Sequence, residues 1–371
     1  MRYRVALLVL AALAATACAS TPGPCPVPKP LECPPVPLPL CQTSPPAAGY
    51  PFKNLVLEGG GVKGIAYAGA FAELQEKHIL QNIQGVAGTS AGAITATLIA
   101  LGYTPEEIQS LMLQIDFQRF EDGGFIGGIH RLFERFGWYK GDYLLHLMRC
   151  EIGNKTGAPN ATFEYLKDHQ FRDLHVFATD VSTGQSKEFS AALTPHVEVA
   201  RAVRMSMSIP LFFASIDFQN DVFVDGGVLL NYPIDTFDPT GPPPSINHAT
   251  LGLTLTSGPP PRAHVNDLPD YSKALFATLL NTQVVDLQTN PADLERTVLI
   301  DDLKIGTTDF QLTKAQKCAL VAEGRACTCQ YLKDWQSWQP PGRSPAADIG
   351  PLGRATRINI KDICGSAWTK P

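Results

Sequence analysis

The chain is short of charge. Asp, Glu, Lys and Arg make up 18% of its 371 residues, and the formal net charge is −5. Binding to a polyanion needs a basic surface, so nucleic acid is excluded as a partner. After the first residues, no apolar run approaches the roughly 20 residues that a membrane-spanning helix needs. There is no internal repeat. No Lys-Ser or Lys-Thr closes a glycine loop, which excludes a phosphate-cradling P-loop. None of the eight histidines lies in a glycine-rich turn or at an obvious strand end; His78 and His169 sit in polar helical stretches, and His175 opens an ordinary strand. With 44% apolar residues, the length suits one large domain with a small appendage.

Glycine is abundant, and two of its clusters follow short apolar strands. Leu55-Val56-Leu57 runs through Glu58 into Gly59-Gly60-Gly61-Val62-Lys63-Gly64. Gly85-Val86-Ala87-Gly88 runs into Thr89-Ser90-Ala91-Gly92. The second has the Gly-x-Ser-x-Gly spacing of a nucleophile elbow, where a strand reverses into a helix and leaves a serine hydroxyl on the bend. Gly88 and Gly92 fit because a Cβ at either position would strike the opposite arm of the turn. Ala91 to Leu101 reads as the helix, with Gly102 at its C-terminal cap. A glycine-rich turn with a solvated serine would carry the same letters. The first cluster could cradle a dinucleotide, but no acidic residue stands about twenty positions on. Its remaining use is an oxyanion hole built from the consecutive backbone amides of Gly60 and Gly61. Adjacent parallel strands joined by a helix from Ile65 to Lys77 would bring these amides to Ser90.

A serine nucleophile needs a proton acceptor. Val222-Phe223-Val224 reads as a buried strand that ends in Asp225-Gly226-Gly227. The C-terminal ends of strands are where open α/β sheets collect their chemistry. Asp122-Gly123-Gly124 has the same three letters but follows no strand, and it reads as a surface turn.

Gly-Gly-Gly-Val-Lys-Gly, Gly-Thr-Ser-Ala-Gly and Asp-Gly-Gly, in this order, resemble the signature blocks of patatin-like phospholipases. Residues 177–184 and 202–213 resemble two further blocks of that family, and the likeness runs from about Lys53 to Thr256. The resemblance implies a three-layer α/β/α fold with a mainly parallel sheet, a Ser-Asp dyad without histidine, and hydrolysis of lipid acyl esters. Carried onto this chain, Ser90 is the nucleophile, Asp225 the general base, the amides of Gly59, Gly60, Gly61 and Val62 the oxyanion hole, and Gly64, Gly226 and Gly227 support the motifs. Lys63 either touches a phosphate or braces its loop. The expected substrate is a lipid or phospholipid, with no cofactor and no metal. A broad carboxylesterase or thioesterase is one alternative, and a non-catalytic lipid-binding envelope protein is another; the sequence leaves the oligomeric state open.

Arg2 and Arg4 precede an apolar run from Val5 to Ala15 and then Thr16-Ala17-Cys18, so residues 1–17 are expected to form a signal peptide. The same residues resemble a bacterial lipobox with Cys18 as the lipidated residue, against ordinary cleavage and secretion. Either reading makes the protein exported, and the first anchors it to a membrane of the cell envelope. Residues 18–51 form a proline-rich tether: eleven of the 31 prolines lie between 22 and 46. Extended as polyproline II, such a segment could hold a catalytic domain (52–300) several tens of ångströms from a membrane.

Without Cys18, eight cysteines remain of nine, an even set that suggests disulfides in an exported protein. Cys318, Cys327, Cys329 and Cys364 of the C-terminal part (301–371) could pair among themselves, and Cys150 with a tether thiol. A thiolate zinc site is the alternative, but the Cys-x-x-Cys pairs of such sites are missing. Between Phe117 and Tyr139 lie seven aromatics. Ile129, Leu132, Phe133 and Phe136 follow helical spacing and are expected to pack into the core; Phe125 and Ile126 are left for a cap facing lipid.

Overall fold

The computed structural model describes residues 49–337, except 243–244 and 257–264, together with Cys25, Cys33 and Pro46. The expected signal peptide, Cys18, most of the tether and Cys364 lie outside the described residues. The strands are β1 (Asn54–Leu57), β2 (Gly85–Thr89), β3 (Gly137–Tyr139), β4 (Asp173–Asp180), β5 (Gln185–Phe189), β6 (Leu211–Phe213), β7 (Ile216–Phe218), β8 (Asp221–Asp225), β9 (Thr250–Leu255) and β10 (Thr297–Ile300). The helices are α1 (Ala66–Glu76), α2 (Ala91–Ala100), α3 (Pro105–Gln114), α4 (Phe125–Arg135), α5 (Asp142–Thr156), α6 (Phe163–Asp168), α7 (Val199–Ser206), α8 (Leu268–Thr289), α9 (Pro291–Glu295) and α10 (Lys314–Ser337).

The main sheet has the order β10-β9-β1-β2-β4-β8-β7, with β5 also paired to β4. β10, β9, β1, β2 and β4 run parallel, and β5, β7 and β8 join antiparallel. β3 and β6 form a separate parallel pair. This is the mainly parallel, helix-flanked α/β fold expected from the glycine blocks. Alternation along β1 and β2 separates two cores. Leu55, Leu57 and Val86 enter the large cluster, whereas Val56 and Ala87 join Phe177 and Ile234 on the other face.

The helices start where local chemistry dictates. Thr104 opens α3 with a complete capping box: its hydroxyl accepts from the Glu107 amide at 3.2 Å, and its own amide donates to the Glu107 carboxylate at 2.8 Å. α10, from the stretch read as an appendage, lies directly on α1. A Cβ on Gly69 would stand 1.8 Å from Val321 O, and one on Gly324 1.9 Å from Ala66 O. Only bare glycines allow the two backbones to come this close.

Two disulfides revise the picture of a free tether. Cys25 is bonded to Cys150 and Cys33 to Cys318. The first matches the expected link from Cys150 to a tether thiol. The second corrects the expectation that Cys318 pairs within the C-terminal part, and it stitches the tether to α10 instead. Cys327 and Cys329 are disulfide-bonded too, so these three sulfurs are not thiolates able to hold zinc. The two bonds fix Cys25 and Cys33 of the proline-rich segment to α5 and α10.

The aromatic stretch is corrected as well. Ile129, Phe133 and Phe136 were expected in the core, yet all three are exposed, and Leu132 is half-buried. A helical period identifies an apolar stripe but not what covers it. The side chains of Phe125 and Ile126, left for a lipid-facing cap, lie outside the described residues.

Candidate active site

Ser90 stands between β2 and α2, at φ +54° and ψ −125°, a conformation that L residues rarely adopt. The surroundings explain how it is held. Its amide donates to Ser206 Oγ at 2.8 Å, and Ser206 in turn donates to Phe177 O of β4. A Cβ on Gly88 would lie 2.4 Å from Gly92 O, and one on Gly92 2.3 Å from Leu57 O. The tight turn therefore depends on both glycines, and the serine is presented at the N-terminus of α2, where the helix dipole favours negative charge.

Asp225 ends β8, and β8 pairs with β4 antiparallel so that Asp225 lies opposite Ala178. This pairing brings residues 135 positions apart into contact: Ser90 Oγ donates to Asp225 Oδ2 at 2.8 Å. The hydroxyl also lies 3.3 Å from Met207 Sδ. Asp225 Oδ1 accepts from the Gly227 amide at 2.8 Å. Asp225 is fully buried, and burial pushes its carboxyl up to about 7, against the lowering by the Gly227 amide and the Ser90 hydroxyl. Asp122, the alternative carboxylate, is elsewhere. It accepts from the Gly141 and Tyr143 amides at 2.6 and 3.0 Å and so secures the start of α5.

The glycine loop lies beside the serine, since a Cβ on Gly59 would come within 3.0 Å of Ser90 Cβ. Its four amides are not equivalent. Gly59 N donates to Asn231 O at 3.0 Å and Val62 N to Thr307 O at 3.1 Å. Both are already committed, which removes Gly59 and Val62 as oxyanion donors in this conformation. The Gly60 and Gly61 amides have no hydrogen-bond acceptor among the described residues. Gly64 packs against Ala91, and Gly226 against Phe177 O of β4. Lys63 braces its loop through an ion pair with Asp302 at 2.9 Å.

Several residues at the site carry no sequence signal. Asn231 is a buried hub: its side-chain amide donates to Glu58 Oε1 and Gly59 O, both at 3.0 Å, while its backbone carbonyl accepts from the Gly59 amide. It thereby ties the loop of free amides to the turn that carries Asp225. Glu58 also accepts from the Leu255 amide, and burial raises its carboxyl to about 7. Thr307 and Phe310 come from the C-terminal part, where only the cysteines stand out in the sequence.

Next to Ser90 lies a narrow apolar cavity of about 20 Å³. Gly61, Ala91 and Met207 line it on the serine side, and Phe117, Phe213 and Phe310 lie among its other walls. A hydroxyl bonded to a buried carboxylate, two available amides and an apolar slot suit nucleophilic attack on a carbonyl that bears a hydrocarbon chain.

Residues 55–238 match the family model of patatin-like phospholipases. The chain is 33% identical over 305 residues to the uncharacterized protein YqhO of Bacillus subtilis, covering 76% of this chain and 98% of that protein. The chain belongs to the patatin-like phospholipase family. It is also 28% identical over 185 residues to the probable lipid hydrolase 463L of invertebrate iridescent virus 6, covering 50% of this chain and 62% of that one. Among solved structures, VipD from Legionella pneumophila matches with a TM-score of 0.53 at 18% identity, covering 78% of this chain and 69% of VipD; this likeness concerns the fold. Family membership places this patatin-like chain among the lipid hydrolases.

Proposed function

We propose that the protein is a lipid acyl hydrolase of the phospholipase A or lysophospholipase type, working through Ser90 and Asp225. The single observation that carries this reading is the 2.8 Å hydrogen bond from Ser90 Oγ to the buried Asp225 carboxylate. Asp225 takes the hydroxyl proton as Ser90 Oγ attacks the ester carbonyl. The carbonyl oxygen becomes an oxyanion facing the Gly60 and Gly61 amides, each donor worth a few kcal/mol in such sites. Collapse expels the alcohol, which takes the proton from Asp225, and leaves an acyl-serine. Water then attacks that ester, giving its proton to Asp225, and the acid is released as Ser90 regains a proton. The apolar slot holds the acyl chain; at about 20 Å³ it has room for little more than one water, so the lining side chains must part as the chain enters.

Export to the cell envelope, with Cys18 as the lipidated residue, belongs to the same proposal. The disulfides of Cys25, Cys33, Cys150 and Cys318 support an oxidising compartment. The test is covalent labelling by a fluorophosphonate: wild type labels and Ser90→Ala does not. Well-folded wild type that resists the reagent would overturn the reading. Product analysis by mass spectrometry with mixed phospholipids then identifies the ester cleaved.

A further inference from the structure

The least expected surface of the molecule is α4. Ile129, Phe133 and Phe136 stand at i, i+4 and i+7, and they are 43%, 78% and 55% exposed. Of the neighbouring polar groups, Arg131 donates to Trp138 O and Gly123 O, while the exposed His130 and Glu134 pair with each other at 3.1 Å and the exposed Arg135 pairs with Asp217 at 2.9 Å. A helix serving only the core would show water the opposite face. The apolar surface continues from the helix end. Phe136 lines a groove of about 220 Å³ with Val181, Pro210, Leu211 and Val224. Ser272 donates to Pro210 O at 2.6 Å and joins this groove to the first turns of α8. There Leu268, Tyr271 and Leu275 are 38%, 50% and 43% exposed. Scattered exposed apolar residues are ordinary, but a contiguous set drawn from several elements marks a contact surface.

The patch is continuous with the candidate active site. Met207, Ile209 and Phe213 line the inner cavity beside Ser90, while Pro210 and Leu211 of the same segment line the outer groove. One short stretch of chain therefore separates a wet apolar surface from the acyl slot. The Cys25–Cys150 bond fixes Cys25 to α5. Asp122 holds the start of α5 to the segment just before α4, and Cys150 lies about 12 Å further along α5. Cys18 is seven residues from Cys25, which is bonded to Cys150. A lipid on Cys18 would thus be tethered within about 25 Å of α5.

We infer that the stripe Ile129–Phe133–Phe136, together with the exposed face of α8, seats the protein on a lipid bilayer, so that a substrate lipid leaves the membrane beside Ser90. This rests on the function proposed above and adds the surface from which the substrate is taken. Aromatic and aliphatic side chains at this position would enter the headgroup boundary, with Tyr271 suited to its polar side.

The experiment uses the full chain with Cys18→Ser, which removes the lipid anchor, compared with the same chain also carrying Ile129→Ser and Phe133→Ser. Both are sedimented with vesicles of phosphatidylcholine and assayed on vesicle phospholipid and on a soluble short-chain ester. The parent is expected to bind vesicles, and the variant to lose about tenfold or more of binding and of vesicle hydrolysis. Hydrolysis of the soluble ester should be unchanged, which also shows that the variant is folded. A parent that does not bind vesicles, or a variant that binds as well as the parent, overturns the inference. So does a concentration-dependent dimer of the parent that the two substitutions abolish, for the patch would then cover a second copy. If neither protein hydrolyses any ester, the proposed function fails, and vesicle binding still decides on the surface.

Discussion

At the residue scale, the chemistry turns on one carboxylate. Asp225 can accept a proton only when ionised, and burial raises its pKa to about 7. The rate of soluble-ester hydrolysis is therefore expected to rise with pH through about 7 and then level off. Asp225→Asn should flatten the profile and lower kcat by about a thousandfold or more, whereas Asp122→Asn keeps the pH dependence of the wild type. A profile centred near the ordinary aspartate value would mean that burial does not hold in solution. The same shift has a consequence for stability. Asp225 and Glu58 both bind protons more tightly folded than unfolded, so their contribution is fully present below about pH 4. It is lost as pH rises from there through about 7. Unfolding titrations in urea should show this component falling over that window, and Glu58→Gln should reduce the fall. Asn231 offers a second test. Asn231→Ala removes the donor to Glu58 and Gly59, leaves a buried carboxylate short of a partner, and should cost about 1–3 kcal/mol of stability together with a slower fluorophosphonate reaction.

At the scale of elements, what was legible in the sequence had local causes. The elbow is a strand, a strained serine and a helix within a few residues, and Gly88 and Gly92 mark where backbones cross. Gly88→Ala would force a Cβ to within 2.4 Å of Gly92 O. Backbone cannot yield as a flexible side chain does, so the variant is expected to lose several kcal/mol, about 4 or more, and to be recovered poorly from expression. Wild-type yield and melting temperature for Gly88→Ala would show that the turn can open. The capping box at Thr104 was equally readable. What could not be read depended on distant partners. Nothing near Gly59 or Val62 shows that Asn231 O and Thr307 O claim their amides. The period of α4 gave its stripe correctly, but that the stripe faces water depends on which elements fold over it.

At the scale of the whole molecule, sulfur adds to packing: α10 lies on α1 through Gly69 and Gly324, and a disulfide at Cys318 ties the proline-rich segment to the same helix. The Cys33–Cys318 bond closes a separation of 285 residues and Cys25–Cys150 one of 125. Cross-links over such long separations restrict the unfolded chain strongly, and bonds of this kind contribute about 2–5 kcal/mol each. The proline-rich composition could not reveal this, because pairing among many cysteines is fixed only when the fold brings sulfurs together. Ser90 and the glycine loop follow the central strands β2 and β1, and Asp225 ends β8, away from both bonds in the chain. The Cys33→Ser, Cys318→Ser double variant is therefore expected to melt at lower temperature while still reacting with a fluorophosphonate at 25 °C. Reductant should lower the melting temperature of wild type further than that of the variant, since wild type has one more bond to lose. If the double variant melts with wild type and loses labelling instead, the bond acts on the active site through the Thr307 loop. The staple would then belong to the catalytic machinery rather than to the scaffold.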